Sequence, residues 1–138
     1  MWYKPLSANS KMIKSFSYRS FLRWLPALVW MGLIFYLSSQ STLPLLPQDH
    51  GPLEFVSRKG GHLLAYAILA LLLGYALGRI KHGALVALLL ASLYGASDEV
   101  HQYFVIGREA RVFDWGVDTF GAGVGVLLGV WQRRRSQR

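Results

Sequence analysis

The residues best suited to chemistry form a short polar stretch, 97–102, at the end of a long uncharged segment. Asp98 and Glu99 follow a run, 83–96, that contains no charged residue, and Gln102 comes one helical turn later. An acid in hydrocarbon costs about 2.5–3.5 kcal/mol even on the mildest scale, so such groups persist where they are paired, hydrated or functional. Carboxylates in this setting exchange protons or bind metal ions.

Polar residues also stand at the ends of two other apolar segments. Lys59, His62 and Tyr66 are spaced three and four residues apart, so a helix places them on one face. Asp114 and Asp118 open the last apolar segment, on a stripe that continues through three glycines at steps of three and four. Stripes of small residues let membrane helices approach closely. Both aspartates are therefore expected to face other helices rather than lipid.

The composition is typical of a membrane protein. Of 138 residues, 53% are hydrophobic and 16% are charged, whereas soluble domains carry about 25% charged residues. Cysteine is absent, which excludes disulfides and thiolate metal ligands. The net charge of +8 and the basic tail would suit nucleic acid, but the alternation of basic segments with long apolar runs favours a membrane. We therefore expect a lipid bilayer, and no nucleic acid, as partner.

Four apolar segments have about the length of a membrane-spanning helix, because twenty residues at a 1.5 Å rise cover roughly 30 Å of hydrocarbon. The sequence predicts an all-α integral membrane bundle with four transmembrane helices at about 21–38, 59–78, 83–103 and 112–131. Prolines predict a linker between the first two helices, at 39–58. The chain then divides into a basic arm, a membrane domain and a basic tail, at 1–20, 21–132 and 133–138.

The basic residues are unevenly distributed between the two sides. Eleven of the fifteen Lys and Arg residues lie in the N-terminal part, the turn at 79–81 and the tail. The other loops and their helix ends hold the remaining four, which are Arg58, Lys59, Arg108 and Arg111. The positive-inside rule therefore places both termini in the cytoplasm. The polar helix ends then lie within about 10 Å of the outer membrane boundary.

Shared depth and inward faces predict that the polar residues form one site. The candidate catalytic residues are His62, Asp98 and Glu99. The candidate ligand-binding residues are Lys59, Tyr66, Gln102, Arg108, Arg111, Asp114 and Asp118. The alternative is structural: the same groups can form a network of ion pairs, or extend to the lipid headgroups.

Three functions are compatible with such a site. The first is binding or modification of an amphipathic cell-envelope ligand, whose phosphate or carboxylate the cations would hold. The second is a metal-dependent membrane hydrolase or transferase acting on a lipid-linked phosphate, because histidine and carboxylates suit Mg²⁺, Mn²⁺ or Zn²⁺. The residue spacing matches no metal motif, so the metal stays unknown. The third is a proton-coupled carrier, which needs an oligomer because four short helices leave little room for alternating access.

Several short motifs occur in order over about residues 36–130. The first are Ser38-Ser39-Gln40-Ser41, Arg58-Lys59-Gly60-Gly61-His62 and Tyr66-Ala67-Ile68-Leu69. The most specific are Asp98-Glu99-Val100-His101-Gln102, Gly107-Arg108-Glu109-Ala110-Arg111 and Asp114-x-x-x-Asp118-Thr119-x-Gly121. In these motifs the chain resembles the VanZ-like family of small bacterial membrane proteins. It departs from that pattern at Ala65, where one branch of the family carries Glu, and at Ile106, where Pro is usual.

The resemblance implies a location and a role. The family takes its name from a protein associated with low-level resistance to teicoplanin, a lipid-bearing glycopeptide. The resemblance implies a role in the bacterial cell envelope, and with the predicted topology we expect a multi-pass inner-membrane protein whose ligand would be an envelope lipid or a glycopeptide. It implies no mechanism and assigns no residue roles. The departure at Ala65 removes one possible carboxylate from the site.

Overall fold

The computed structural model describes residues 21–40, 52–78, 80–106, 108 and 111–138, and the regular structure in these ranges is entirely helical. The four helices are α1 (Leu25–Ser38), α2 (Pro52–Leu77), α3 (Gly83–Tyr103) and α4 (Val112–Arg135). The predicted all-α, four-helix architecture is confirmed for this part of the chain. The basic arm, 1–20, and most of the predicted linker lie outside the described residues.

The helix boundaries differ from the sequence prediction mainly at the start of α2. This helix begins at Pro52, inside the segment predicted to be a linker and seven residues before Lys59. Proline is well tolerated in the first turn, because its missing N–H has no partner there and its fixed φ suits a helix. Lys59 and His62 therefore lie about two turns or more inside α2. At the other end of the chain, α4 continues to Arg135, beyond the predicted end at 131.

Two of the helices are long and apolar enough to cross a membrane. They are α2 over Val56–Leu77, with 22 residues, and α3 over Gly83–Tyr103, with 21 residues. The apolar helix α1 is shorter, with 14 residues. These lengths are consistent with a membrane protein, and the four-span topology with cytoplasmic termini stays a prediction.

The outer surfaces of the helices are rich in large apolar side chains, and the interior combines alanines with a few large side chains such as Tyr66 and Leu69. Ala87, Ala91 and Ala122 are fully buried, while Phe120 and Leu127 are 66% and 71% exposed. Extended apolar surface of this kind marks contact with lipid or with another protein. The small interior residues allow the helix backbones to come close together.

The closest helix pair is α2 with α4, and the two helices run in the same direction. Gly121 lies against Leu63, and Gly125, one turn later, lies against Ala67. A β-carbon at either glycine would collide with the facing backbone. Because no larger side chain fits at these positions, the two glycines set the register of α4 along α2.

Polar side chains attach α1 to the other helices. The Trp30 indole N–H donates to the Ala65 carbonyl at 2.9 Å, and the Tyr94 hydroxyl donates to the Met31 carbonyl at 2.6 Å. Neither bond depends on a charge. In an apolar medium these bonds satisfy indole and hydroxyl groups that would otherwise be costly to bury.

The end of the bundle that holds the C-terminus of α2 is basic. Arg133 of α4 donates to the Gly78 carbonyl at 2.7 Å and also to the Gly74 carbonyl. Gly78 ends the helix with a φ of 62°, a left-handed conformation that favours glycine. A cavity of about 690 Å³ opens at this end and is lined in part by Arg23, Gly125 and Arg133.

Candidate functional site

The inner faces of three helices meet in a group of polar residues, which we call the polar cluster: His62 and Tyr66 of α2, Asp98, Glu99 and Gln102 of α3, and Asp118 of α4. Its three carboxylates are almost completely withdrawn from solvent, with Asp118 at 0%, Asp98 at 2% and Glu99 at 7% exposure. A ligand atom from each of His62, Glu99 and Asp118 lies within 4.8 Å of the other two.

The link between α2 and α4 is a histidine–carboxylate pair. His62 Nδ1 and Asp118 Oδ1 are 3.0 Å apart. Gly95 of α3 makes room for Asp118 and Tyr66, because a β-carbon there would stand 3.2 Å from Asp118 Cβ and 3.3 Å from Tyr66 Cε1. Sequence reasoning missed Gly95, although its position three residues before Asp98 puts it on the same helical face.

The α3 side of the polar cluster is held by two hydrogen bonds. The Gln102 amide donates to Asp98 Oδ2 at 2.9 Å, and the Arg111 backbone N–H donates to Glu99 Oε2 at 3.0 Å. Arg111 is the extended residue that precedes α4, so Glu99 places its negative charge beside a helix N-terminus. Arg111 thus contributes its backbone to the cluster, and its side chain is exposed.

Four buried oxygens in the polar cluster have no hydrogen-bond partner among the described residues. They are the Tyr66 hydroxyl, Asp98 Oδ1, Glu99 Oε1 and Asp118 Oδ2. Each unsatisfied buried group costs about 1–3 kcal/mol, and more when it is charged. Native interiors rarely keep such atoms without a reason, such as an unseen ion or a catalytic role.

A second ion pair lies one turn closer to the start of α4. Lys59 of α2 contacts Asp114 of α4, with side-chain exposures of 23% and 14%. The Lys59 ammonium is also 5.9 Å from the centre of the Phe113 ring. Lys59 is therefore one of the links between α2 and α4.

Arg108, predicted to bind a ligand anion, is directed towards the end of α1. Its Nε donates to the Gln40 carbonyl at 2.8 Å and its Nη2 to the Leu37 carbonyl at 2.9 Å. Burial, followed by the nearby charge of Arg58, lowers the pKa of Arg108, and a guanidinium stays protonated all the same. In this position Arg108 joins the loop before α4 to the end of α1, where the Leu37 carbonyl also accepts the Gln40 backbone N–H at 3.2 Å.

We expect Arg108→Ala to loosen α1. Hydrogen bonds to a charged group contribute about 1.5–3 kcal/mol each, but this pair is half exposed, so we expect a total loss of about 2 kcal/mol. Thermal unfolding in detergent measures the loss, and Arg134→Ala removes the same charge from the exposed end of α4 as a control. Equal melting of the two variants would contradict the role of Arg108 at α1.

The described part of the polar cluster has an excess of negative groups. Three carboxylates lie beside one histidine in the cluster, the lysine nearby contacts Asp114, and the charge of Arg108 acts on Asp98 and Glu99 from outside the cluster. Buried carboxylates attract a cation or protons, so an anionic ligand would reach them through a cation. His62 is 24% exposed and lies on the most accessible side of the cluster.

A family model described as VanZ/LLP1 matches residues 21–133, which include α1, α2, α3, all but the last two residues of α4, and the whole polar cluster. No curated protein and no solved structure matches the chain.

Proposed function

Because the chain belongs to the VanZ/LLP1 family, we propose that it is a multi-pass protein of the bacterial inner membrane that binds or modifies an amphipathic envelope ligand. The polar cluster is the proposed ligand site. The ligand classes that we propose are a lipid-linked phosphate and a glycopeptide of the teicoplanin type. Both combine an apolar chain with anionic oxygens.

The observation that carries this proposal is the set of buried oxygens without partners. Asp98, Glu99 and Asp118 each keep one such oxygen in the interior of an apolar helix bundle. A purely structural network would be expected to satisfy its own members, since half-satisfied buried networks are costly. Ionisable groups inside a membrane bundle are by default a sign of function.

The proposed orientation places the polar cluster towards the outer leaflet. Arg23 and Arg133 both lie beside Gly78, so the start of α1, the end of α2 and the end of α4 share one basic end. The positive-inside rule assigns that end to the cytoplasm. The polar cluster lies towards the opposite ends of α2 and α4, and therefore faces the envelope.

An apolar rim beside the polar cluster supports an amphipathic ligand. Tyr103, Phe104, Ile106 and Phe113 are all exposed at this end of the bundle. Such a rim suits a lipid tail, while the polar head reaches the accessible side of His62. In this proposal Lys59 lies at the entrance and keeps its pair with Asp114.

Photo-cross-linking tests this proposal. Membranes that contain the full chain are exposed to two photoreactive probes, a long-chain lipid phosphate and a teicoplanin-type lipoglycopeptide. At least one probe is expected to label residues 103–115, and Glu99→Gln should reduce the labelling about tenfold or more. Thr119→Val is the matched control, because Thr119 lies beside Asp118 but bonds to Ser92 at 2.9 Å. Labelling that is spread over both ends, or unchanged in Glu99→Gln, would refute the proposal.

A further inference from the structure

We propose that the polar cluster binds one divalent metal ion, with His62, Glu99 and Asp118 as its protein ligands. This inference deepens the proposed function and rests on it, because the ion would be the group that meets the anionic part of the envelope ligand. The spacing of these residues in the sequence matches no metal motif. The site arises only when α2, α3 and α4 come together.

The geometry of the three side chains supports an ion between them. One ligand atom from each residue lies within 4.8 Å of the others. Around an ion with bonds of about 2.0–2.2 Å, ligand atoms stand roughly 3–3.5 Å apart. In this proposal, rotations of the Glu99 and His62 side chains close this difference when the ion binds.

The unpartnered oxygens are a second and independent sign of a ligand. Glu99 Oε1 and Asp118 Oδ2 are buried with no hydrogen-bond partner among the described residues, and both side chains are more than nine-tenths buried. Asp98 Oδ1 is in the same condition. Buried charges in proteins are paired or coordinate metals. A bound cation satisfies these oxygens and offsets the negative excess of the cluster in one step.

The surrounding hydrogen bonds are of the kind that orients metal ligands. The Arg111 N–H holds the other oxygen of Glu99, and Gln102 holds the other oxygen of Asp98. Ligating carboxylates are commonly fixed by such outer contacts. Asp98 is then a neighbouring carboxylate whose negative charge strengthens the binding of the cation.

The ligand set selects the type of ion. One imidazole nitrogen with carboxylate oxygens suits Mn²⁺ or Zn²⁺, whereas Ca²⁺ is bound by oxygens alone and Cu(I) by soft sulfur ligands. Three protein ligands leave at least one coordination position open. An anionic oxygen of the envelope ligand, from a phosphate or a carboxylate, would occupy that position on the accessible side of His62.

Metal binding by the purified full chain tests the inference. The protein is stripped with a chelator in detergent and titrated with Mn²⁺ and with Zn²⁺. We expect saturable binding of one ion per chain, and nitrogen coupling from His62 in the magnetic resonance spectrum of bound Mn²⁺. Glu99→Gln and Asp118→Asn should weaken the affinity about tenfold or more, whereas Thr119→Val should bind as the parent does.

The results of the two experiments distinguish the metal site from the proposed ligand-binding function. Absence of saturable binding by both ions, or equal affinity in parent and Glu99→Gln, overturns the metal site. The nitrogen coupling is read on the parent chain, so the test stands even if a variant fails to fold. Probe labelling without metal binding would refute this inference alone. Metal binding without any probe labelling would refute the proposed function and leave the metal site intact.

Discussion

Replacing Gly125 with leucine is expected to prevent α2 and α4 from packing together. A β-carbon at this position collides with the Ala67 backbone, and backbone cannot move aside as a flexible side chain does. Overpacking of a core costs about 1–3 kcal/mol, and we expect Gly125→Leu to reach or exceed the upper value. The variant should accumulate poorly in membranes and unfold at a lower temperature in detergent.

A neighbouring glycine provides the control for this prediction. Gly123 lies in the same helix, and a β-carbon there has no atom within 4 Å. Gly123→Leu adds the same apolar surface and the same gain in helix propensity, without a collision. It should accumulate at least as well as the parent. If the two leucine variants behaved alike, the close approach of α2 and α4 would be disproved.

The second large effect is expected at the ion pair between α2 and α4. Lys59→Met leaves Asp114 partly buried beside an apolar side chain. Removing one partner of a buried pair costs about 3–5 kcal/mol, and the partial exposure of these groups places the expected loss near 3 kcal/mol. Thermal unfolding in detergent measures the loss of stability.

The double variant Lys59→Met/Asp114→Leu measures the interaction between the two side chains separately from their contacts with other residues. Removing both charges leaves none stranded, so the double variant should recover most of the stability that Lys59→Met loses. Lys81→Met, in the exposed turn before α3, controls for the loss of a positive charge. Strictly additive losses from the two single substitutions would show that the contact contributes nothing.

The helices were predictable from the sequence to different degrees. The predicted span at 83–103 coincides with α3, because an uncharged run there lies between a basic turn and a polar stretch. The start of α2 was missed because Pro52 marks a break in most contexts but begins a helix when it occupies the first turn. Hydropathy predicts segments, and the local chemistry of their ends decides where each helix begins.

The grouping of the polar residues was predictable, but their pairing was not. The depth and the inward face of a residue can be predicted for each helix alone. These two properties predicted that His62, Asp98, Glu99 and Asp118 lie close together. Which acid meets which base depends on the register between helices, which is set by glycine contacts with facing backbone. Arg108 lies in a loop, where neither depth nor periodicity indicates the direction of a side chain. Its bonds to α1 could therefore be found only in the structure.

The hydrogen bonds of Arg133 affect how orientation experiments on this chain should be read. To invert a membrane protein, basic residues are exchanged between loops, and each charge is assumed to affect the orientation of insertion independently. Arg133 also completes the end of α2 through the Gly74 and Gly78 carbonyls. Replacing Arg133 removes a basic residue that affects orientation and also two hydrogen bonds at the end of α2. A misfolded product can therefore be mistaken for an inverted one. Arg138, at the end of the chain beyond α4, is the cleaner position for such an exchange.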